Sequence, residues 1–193
     1  YERISPRHGV WAFKLDADFF SGGLSGNRQI GYNVKFLPTY FIIDAVSVYA
    51  GPYIQRVPDW LVWQHDNLVG RYDQRSLELD SGFDWSIDGR QELRLKLQAI
   101  GLDAGLRGGY VVAANGRAVA SDEPVTSFGV RNLGLQIRYR YELAPLSYLY
   151  VVYGRGGYVL DDLRRDTFSQ FDNSFALRDD EQLLVKLDYR FGI

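Results

Sequence analysis

The sequence contains no cysteine and no methionine, and only two of its 193 residues are histidine. Without cysteine there are no disulfide bonds, thiolate metal sites or thiol catalysis. Two histidines alone also argue against a zinc site. The chain starts at Tyr1 with no initiator methionine and no visible signal peptide, which predicts a processed protein or an excised piece of one.

The chain also lacks an excess of either charge and any long apolar run. It carries 22 basic and 24 acidic residues, so no basic field favours nucleic acid as a partner. No stretch of about 18 apolar residues exists, which excludes a transmembrane helix. Hydrophobic residues make up 46% and aromatic residues 15%, and this content excludes a disordered or low-complexity chain.

Apolar and polar residues instead alternate with a period of two. In residues 11–19 the odd positions are apolar, and Lys14, Asp16 and Asp18 lie between them. Side chains on a strand point alternately to opposite faces, so such a segment is a strand with one apolar and one charged face. The pattern predicts eight strands, at residues 10–20, 28–37, 40–54, 73–87, 90–101, 128–143, 147–158 and 181–192.

The predicted connections alternate between short and long. Short turns are expected at 37–39, 88–90 and 144–147, and the other connections at 21–27, 55–72, 102–127 and 159–180. Outer-membrane barrels have short periplasmic turns and longer external loops, and an even strand number puts both termini at the periplasmic rim. The sequence therefore predicts a single all-β domain over 1–193. This domain is an antiparallel up-and-down transmembrane β-barrel of about eight strands, or the last eight strands of a larger barrel.

Aromatic residues supply a separate argument for a membrane barrel. A girdle of aromatic side chains is expected where barrel strands reach the membrane interface. A soluble ligand-binding barrel, which is the alternative, would have its apolar face inside. The residues predicted near the periplasmic rim are Trp11, Phe36, Tyr40, Trp85, Tyr141, Tyr148, Tyr189 and Phe191.

The hairpin around Asp88-Gly89 allows a prediction of strand register. A two-residue turn would pair Asp84 with Leu93 and so mix charged and apolar residues on one face. An odd loop instead pairs Trp85 with Leu93, and Asp84 with Arg94. We therefore expect an odd loop or a bulge at this turn.

The polar positions of the strands predict a lumen lined by both signs of charge. In an eight-stranded barrel, side chains fill the interior and the charges would form an ion-pair plug. In a larger barrel the same residues would line a pore. The predicted lumen-facing charges are Lys14, Asp16, Asp18, Lys35, Glu78, Asp80, Asp84, Glu92, Arg94, Lys96, Arg138, Arg140, Glu142, Lys186, Asp188 and Arg190.

Catalytic signals are few, and no catalytic residue, cofactor or metal ligand is predicted. His65 stands beside Asp66 in a predicted external loop, so an outer-membrane hydrolase or lipid-modifying enzyme using His65 as a base is an alternative. Trp60 and Trp63 in that loop would stack on sugars, close the loop on itself or lie at the membrane interface. The acidic clusters at 161–162 and 179–181, with Arg164-Arg165 between them, are expected to be solvated loop charge.

Three stretches resemble a bacterial outer-membrane family of uncharacterised activity. They are residues 135–147, 150–157 and 180–191. Members of that family often carry an N-terminal carbohydrate-binding module, family-9-like, before a C-terminal barrel. The resemblance implies that this chain is the C-terminal barrel part, and it brings no catalytic residues. The final strand, with Phe191 near its end, also resembles the signal by which the outer-membrane assembly machinery recognises barrel proteins.

These observations predict a non-enzymatic, porin-like protein of the Gram-negative outer membrane. It would act as a membrane anchor, a conduit or an envelope-interaction protein. The expected partners are outer-membrane lipid and lipopolysaccharide, the assembly machinery during biogenesis, and another protein chain or an N-terminal domain.

Overall fold

The computed structural model describes residues 1–22, 29–162 and 166–191. In these residues the protein is all-β, with ten strands and one short helix. The elements are β1 (Glu2–His8), β2 (Trp11–Gly22), β3 (Gln29–Ile43), β4 (Val46–His65), β5 (Leu68–Ser86), β6 (Gln91–Val112), β7 (Ala118–Ser121), β8 (Phe128–Ala144), β9 (Ser147–Asp161), α1 (Thr167–Ser174) and β10 (Asp180–Asp188).

All ten strands form one antiparallel up-and-down sheet. The order is β1-β2-β3-β4-β5-β6-β8-β9-β10, and the short β7 pairs with the end of β6. Over the described ranges, β1 pairs only with β2 and β10 only with β9, so the sheet is not closed. No helix in the described part of the chain has the length and hydropathy to cross a bilayer.

The connections between strands lie at two opposite ends of the sheet, called here the turn rim and the loop rim. At the turn rim, tight turns at 9–10, 44–45, 87–90 and 145–146 join successive strands. The loop rim holds the β4–β5 turn at 66–67, the β7 segment and α1. Tyr1 lies beside Ala17, towards the loop rim, where its amino group donates a hydrogen bond of 2.7 Å to the Ala17 carbonyl. The prediction that both termini lie at one rim is therefore wrong, because β1 adds a strand before β2.

The turn predicted at 37–39 does not exist, and β3 runs through it. Pro38 stays opposite Phe13 on β2, so this ladder is continuous in register. On the other side, the ladder of pairs with β4 has a gap between Lys35 and Thr39, and the register is the same before and after it. Proline has no N–H to donate, which explains a local gap in one ladder without a turn.

The long loops predicted at 55–72 and 102–127 are largely strand. β4 and β5 form one long hairpin, so Trp60 and Trp63 lie on β4. Register shifts at Val57/Trp60 and at Trp63/His65 break the period of two there. β6 likewise continues to Val112. The connection predicted at 21–27 lies mostly outside the described residues.

The connection predicted at 159–180 contains helix α1, which packs over the loop-rim half of β6 and β8. Asp166 caps the helix through a hydrogen bond of 3.0 Å from the Ser169 amide. Hydrogen bonding from Ser169 lowers the pKa of the Asp166 carboxyl. The helix backbone passes so close to Gly101 that a Cβ there would lie 2.1 Å from the Phe171 nitrogen. A side chain at Gly101 would therefore displace α1.

The hairpin at 87–90 confirms the predicted odd loop. Trp85 is opposite Leu93, and Asp84 is opposite Arg94. The Asp88 carboxylate accepts hydrogen bonds of 2.7 Å from the Arg90 amide and 2.8 Å from the Gln91 amide. These bonds close the turn on the Asp88 side chain, and the one from Arg90 contributes most to lowering the pKa of that carboxyl.

We expect Asp88→Ala to lower the urea midpoint of unfolding, because it removes both acceptor oxygens from the turn. Asp88→Asn keeps one acceptor oxygen and should retain most of the stability. The depressed pKa means that the carboxylate contribution is present above the unfolded pKa and is lost as pH falls through the folded pKa. Equal midpoints for the alanine and asparagine variants would contradict this role of the side chain.

Candidate functional site

The two faces of the sheet differ in chemistry. The register places the predicted lumen charges on one face, called here the charged face, except Arg190, which follows β10. The backbone amide of Arg190 donates a hydrogen bond of 3.0 Å to the Ser147 hydroxyl. The opposite face, called the apolar face, carries the alternate residues of the same strands. The pairings thus collect charges that are up to 174 residues apart in sequence onto one surface.

Clefts open on the charged face. One has a volume of about 520 Å³, larger than the two others described below, and extends from β5 across β6, β8 and β9 to β10. A Cβ at Gly134, in the middle of this cleft, would meet nothing within 4 Å. The polar residues that line this cleft are Asp80, Lys96, Gln98, Gln136, Arg155, Asp180 and Gln182.

Two further clefts continue the polar surface towards β1. One, of about 290 Å³, is lined by Lys35, Tyr53 and Glu78. The other, of about 410 Å³, is bordered by residues of β1 to β4. The Lys35 ammonium lies 3.5 Å from the Asp80 carboxylate, across the intervening strand β4. Gly51 on β4 lies opposite Asp80 and has no side chain, so the two charged groups can meet over it.

Ion pairs on this face join neighbouring side chains along the wall. Glu92 pairs with Arg94, with Arg140 at 3.1 Å and with Arg138 at 3.8 Å. Arg94 also lies 3.3 Å from Asp84, its predicted cross-strand partner. The clefts remain open between these groups.

The apolar face exposes large side chains near the turn rim. Trp11 and Tyr40 lie opposite each other with ring centroids 4.7 Å apart, and Trp85 and Tyr141 lie beside the tight turns of the same rim. Solvent-exposed side chains on this face include Trp11, Phe19, Ile30, Phe36, Ile42, Ile54, Trp85, Leu183, Val185 and Leu187.

Four predicted interface aromatics need separate description. Phe36 lies in the middle of β3, opposite Leu15, so its predicted place at the rim is wrong. The reason is that the chain does not turn at 37–39. Tyr148 lies opposite Glu142 and therefore on the charged face. Tyr189 and Phe191 follow β10, with ring centroids 5.0 Å apart.

A cluster of charges marks the loop-rim end of the apolar face, beyond its aliphatic residues. Asp73 is buried and lies 3.1 Å from the Arg56 guanidinium and 2.9 Å from that of Arg107. Arg75 approaches to 3.8 Å. Burial by itself would raise the pKa of the Asp73 carboxyl, but the hydrogen bonds from Arg56 and Arg107 outweigh it and the pKa is lowered. Asp73 is therefore an ionised anchor for several arginines.

An aromatic cluster lies on the charged face near the same rim. The ring of Tyr72 is fully buried against Trp60 and Phe128, with a centroid distance of 5.1 Å to Phe128. Its hydroxyl donates a hydrogen bond of 3.1 Å to the Thr126 carbonyl. Burial raises the pKa of Tyr72. Through these contacts the cluster holds the segment before β8 against the β4–β5 hairpin. The sequence pattern does not indicate this cluster, because it predicts Trp60 in a loop.

His65 lies at the tip of the β4–β5 hairpin between two carboxylates. Its Nε2 is 3.0 Å from Glu123, and its Nδ1 is 3.4 Å from Asp66. Sequence reasoning had identified Asp66 but not Glu123, which the fold of the β7 segment brings near. In the part of the chain that the structure describes, no three His, Cys, Asp or Glu side chains are arranged so that they could hold a metal ion.

The acidic clusters lie at the loop rim. Asp179 accepts a hydrogen bond of 3.0 Å from the Tyr158 amide. Glu181 pairs with Arg178 at 2.6 Å. Arg164-Arg165 lies outside the described residues. Both carboxylates thus have structural partners.

Comparison with known proteins finds no match to any family, any curated protein or any solved structure.

Proposed function

We propose that the sheet is the wall of an outer-membrane β-barrel, with its apolar face towards lipid. The observation that carries this proposal is the separation of the faces: one surface is charged and holds open clefts, and the opposite surface exposes large apolar side chains. A soluble barrel would have the reverse arrangement. Trp11, Tyr40, Trp85 and Tyr141 near the turn rim support a membrane interface at that level.

The charged face then lines a polar conduit. Open clefts lie between the wall side chains, and no cofactor is needed for passage through them. Outer-membrane lipid and lipopolysaccharide surround such a wall, and the assembly machinery inserts it. The resemblance to the outer-membrane family with a carbohydrate-binding module stays a prediction and supports the same location.

The first test is a heat-modifiable gel band from the purified chain in detergent, followed by recording in a planar bilayer. We expect a band that shifts on boiling. Because the sheet is open over the described residues, we expect stable ion conductance when a strand that can cover its edges, a peptide of residues 11–22, is added. A folded band without conductance in the presence of that peptide would retain the membrane wall and overturn the conduit. A chain that stays soluble without detergent and does not bind vesicles would contradict the membrane proposal itself.

Ion selectivity tests the lining more closely. Lys96 projects into the cleft of about 520 Å³ and has no ion pair with any described residue. We expect Lys96→Glu to shift the permeability ratio towards cations, because it replaces a free positive charge of the lining with a negative one. Arg117→Glu, in the exposed connection before β7, makes the same change of charge and serves as the control. Equal shifts in both variants would contradict a path along the charged face.

The His65 geometry keeps an enzymatic alternative testable. Two carboxylates beside the imidazole would hold its ring in one orientation. If the protein were a hydrolase, His65→Ala would abolish turnover of lipid or ester substrates. We expect His65→Ala to leave conductance and the heat-modifiable band unchanged, since the residue lies at the hairpin tip.

A further inference from the structure

Both edges of the sheet have backbone groups available for another strand. In the described residues, β10 is paired along one side with β9 from Asp180 to Asp188, and β1 is paired along one side with β2. In a bilayer an open edge is costly, because each unpaired N–H or C=O in hydrocarbon costs on the order of several kcal/mol. If the sheet is a membrane wall, as proposed above, these edges must be covered.

The direction of the two edge strands decides what can cover them. β2 runs from the turn rim to the loop rim, so β1, its antiparallel neighbour, runs from the loop rim to the turn rim. Six further antiparallel pairings lead from β2 through β3, β4, β5, β6 and β8 to β9, and a seventh leads to β10. β10 therefore has the same direction as β1. Direct pairing of β1 with β10 would be parallel, whereas bacterial outer-membrane barrels are antiparallel with an even number of strands.

We propose that the wall is completed by an odd number of further strands, at least one, supplied by polypeptide outside residues 1–193. The strand next to β10 runs from the turn rim to the loop rim. Its residues alternate, with apolar side chains beside Leu183, Val185 and Leu187 and polar side chains beside Gln182 and Lys186. This inference rests on the proposed membrane function and specifies its missing part.

A second copy of the chain does not fit these edges. In the same orientation, its β1 would again meet β10 in parallel. In the inverted orientation, β10 would meet β10 in antiparallel fashion, but the loop rim of that copy, with α1 and the β7 segment, would have to cross the apolar layer. The occupant is therefore an amphipathic strand and not this chain.

A synthetic peptide with the sequence of β2, residues 11–22, is a suitable probe. It has the required alternation, and in the sheet this sequence already runs antiparallel to β1. The chain has no cysteine, so single cysteines can be introduced without background. The chain carries Leu183→Cys or Leu187→Cys, and the peptide carries Phe13→Cys or Ala17→Cys.

The experiment is done in detergent micelles under mild oxidation. A peptide strand that pairs antiparallel with β10 brings the loop-rim ends of the two strands together, and likewise their turn-rim ends. We expect Leu183→Cys to cross-link with the Ala17→Cys peptide, and Leu187→Cys with the Phe13→Cys peptide, about tenfold more than the exchanged combinations. Preference for the exchanged combinations, or no cross-link to the peptide, would overturn the inference.

Two intrachain pairs test whether the chain closes without an added strand. Leu187→Cys with Ser5→Cys would report pairing of β10 with β1. Leu187→Cys with Phe13→Cys would report displacement of β1 and pairing of β10 with β2. A disulfide in either double variant, or a disulfide-linked dimer of Leu187→Cys, would overturn the inference. Vesicle flotation of the cysteine-free chain tests the membrane proposal separately, so a chain that floats but fails to pair refutes this inference alone.

Discussion

Val151→Arg is expected to lower the free energy of unfolding in lipid vesicles by about 2–4 kcal/mol, the cost of an arginine on the lipid face near the bilayer midplane. Val151 lies on the apolar face of β9, opposite Val185 and Tyr139. Val152 is the adjacent residue and lies on the charged face, opposite Arg138. Both valines are half-buried. The pair therefore differs mainly in what each face contacts.

Val152→Arg is the matched control. Repulsion from Arg138 should lower the stability only modestly, so we expect the free energy of unfolding to stay within about 1 kcal/mol of that of the unmodified chain. The measurement is urea unfolding after insertion into vesicles, followed by tryptophan fluorescence. Equal losses in the two variants would contradict a lipid-facing apolar surface, and a larger loss for Val152→Arg would favour the soluble barrel with its apolar face inside.

Asp73→Ala should be the other large effect, with a loss of about 2–3 kcal/mol in the free energy of unfolding. The variant removes the carboxylate that holds Arg56 and Arg107 and leaves their positive charges close together. The control is Asp44→Ala. Asp44 pairs with Arg7 at 2.7 Å, a shorter distance than either Asp73 contact, but its side chain is 92% exposed against 8% for Asp73. We expect Asp44→Ala to change stability by less than about 0.5 kcal/mol.

The pH dependence of the Asp73 contribution has a definite sign. The folded pKa lies below the unfolded value of about 3.9. The contribution is therefore complete above the unfolded pKa and is lost as pH falls through the folded pKa. The stability difference between the unmodified chain and Asp73→Ala should be constant at neutral pH and shrink below about pH 4. A difference that persists unchanged into strong acid would exclude the ionised carboxylate as its source.

The strands that were predicted are those in which every second residue is apolar over several pairs. The turn-rim halves of β6 and β8, which include Leu93 and Tyr141, follow this rule because no bulge interrupts their pairing. The odd loop after Asp84 could be predicted as well, since matching faces across a hairpin fix the register. These features depend on local pattern alone.

The strands that the sequence does not predict are those in which apolar and polar residues do not alternate regularly. Their structure depends on backbone pairing with neighbouring strands. β1 places Arg3 and Ser5 on the apolar side and both Glu2 and Ile4 on the charged side, so its residues do not alternate as those of its neighbours do. The loop-rim half of β4 contains bulges, including Asp59 with φ of 56°, and these shift the period. Pairing with β2 and β5 supplies the backbone hydrogen bonds that the sequence pattern does not indicate.

The two faces of the candidate site could be predicted, but not its clefts. Alternation identifies which side chains share a face, so Glu92 and Arg140 were assigned together. The open space around Gly134 depends on the absence of side chains beside it, including at Gly156 opposite. The contact between His65 and Glu123 depends on how a 15-residue connection folds back at the loop rim, and no period in the sequence encodes that.

The order of strands in the sheet has a consequence for biogenesis. Apart from the short β7, each strand pairs with the one that precedes it in the chain. Nearly all partners are therefore close in sequence, so the entropy lost on closing each loop is small. The wall can grow by adding hairpins one after another, without searching for distant segments. Of the strands that the structure describes, β10 is added last, so its outer side stays open after every other pairing of the sheet has formed.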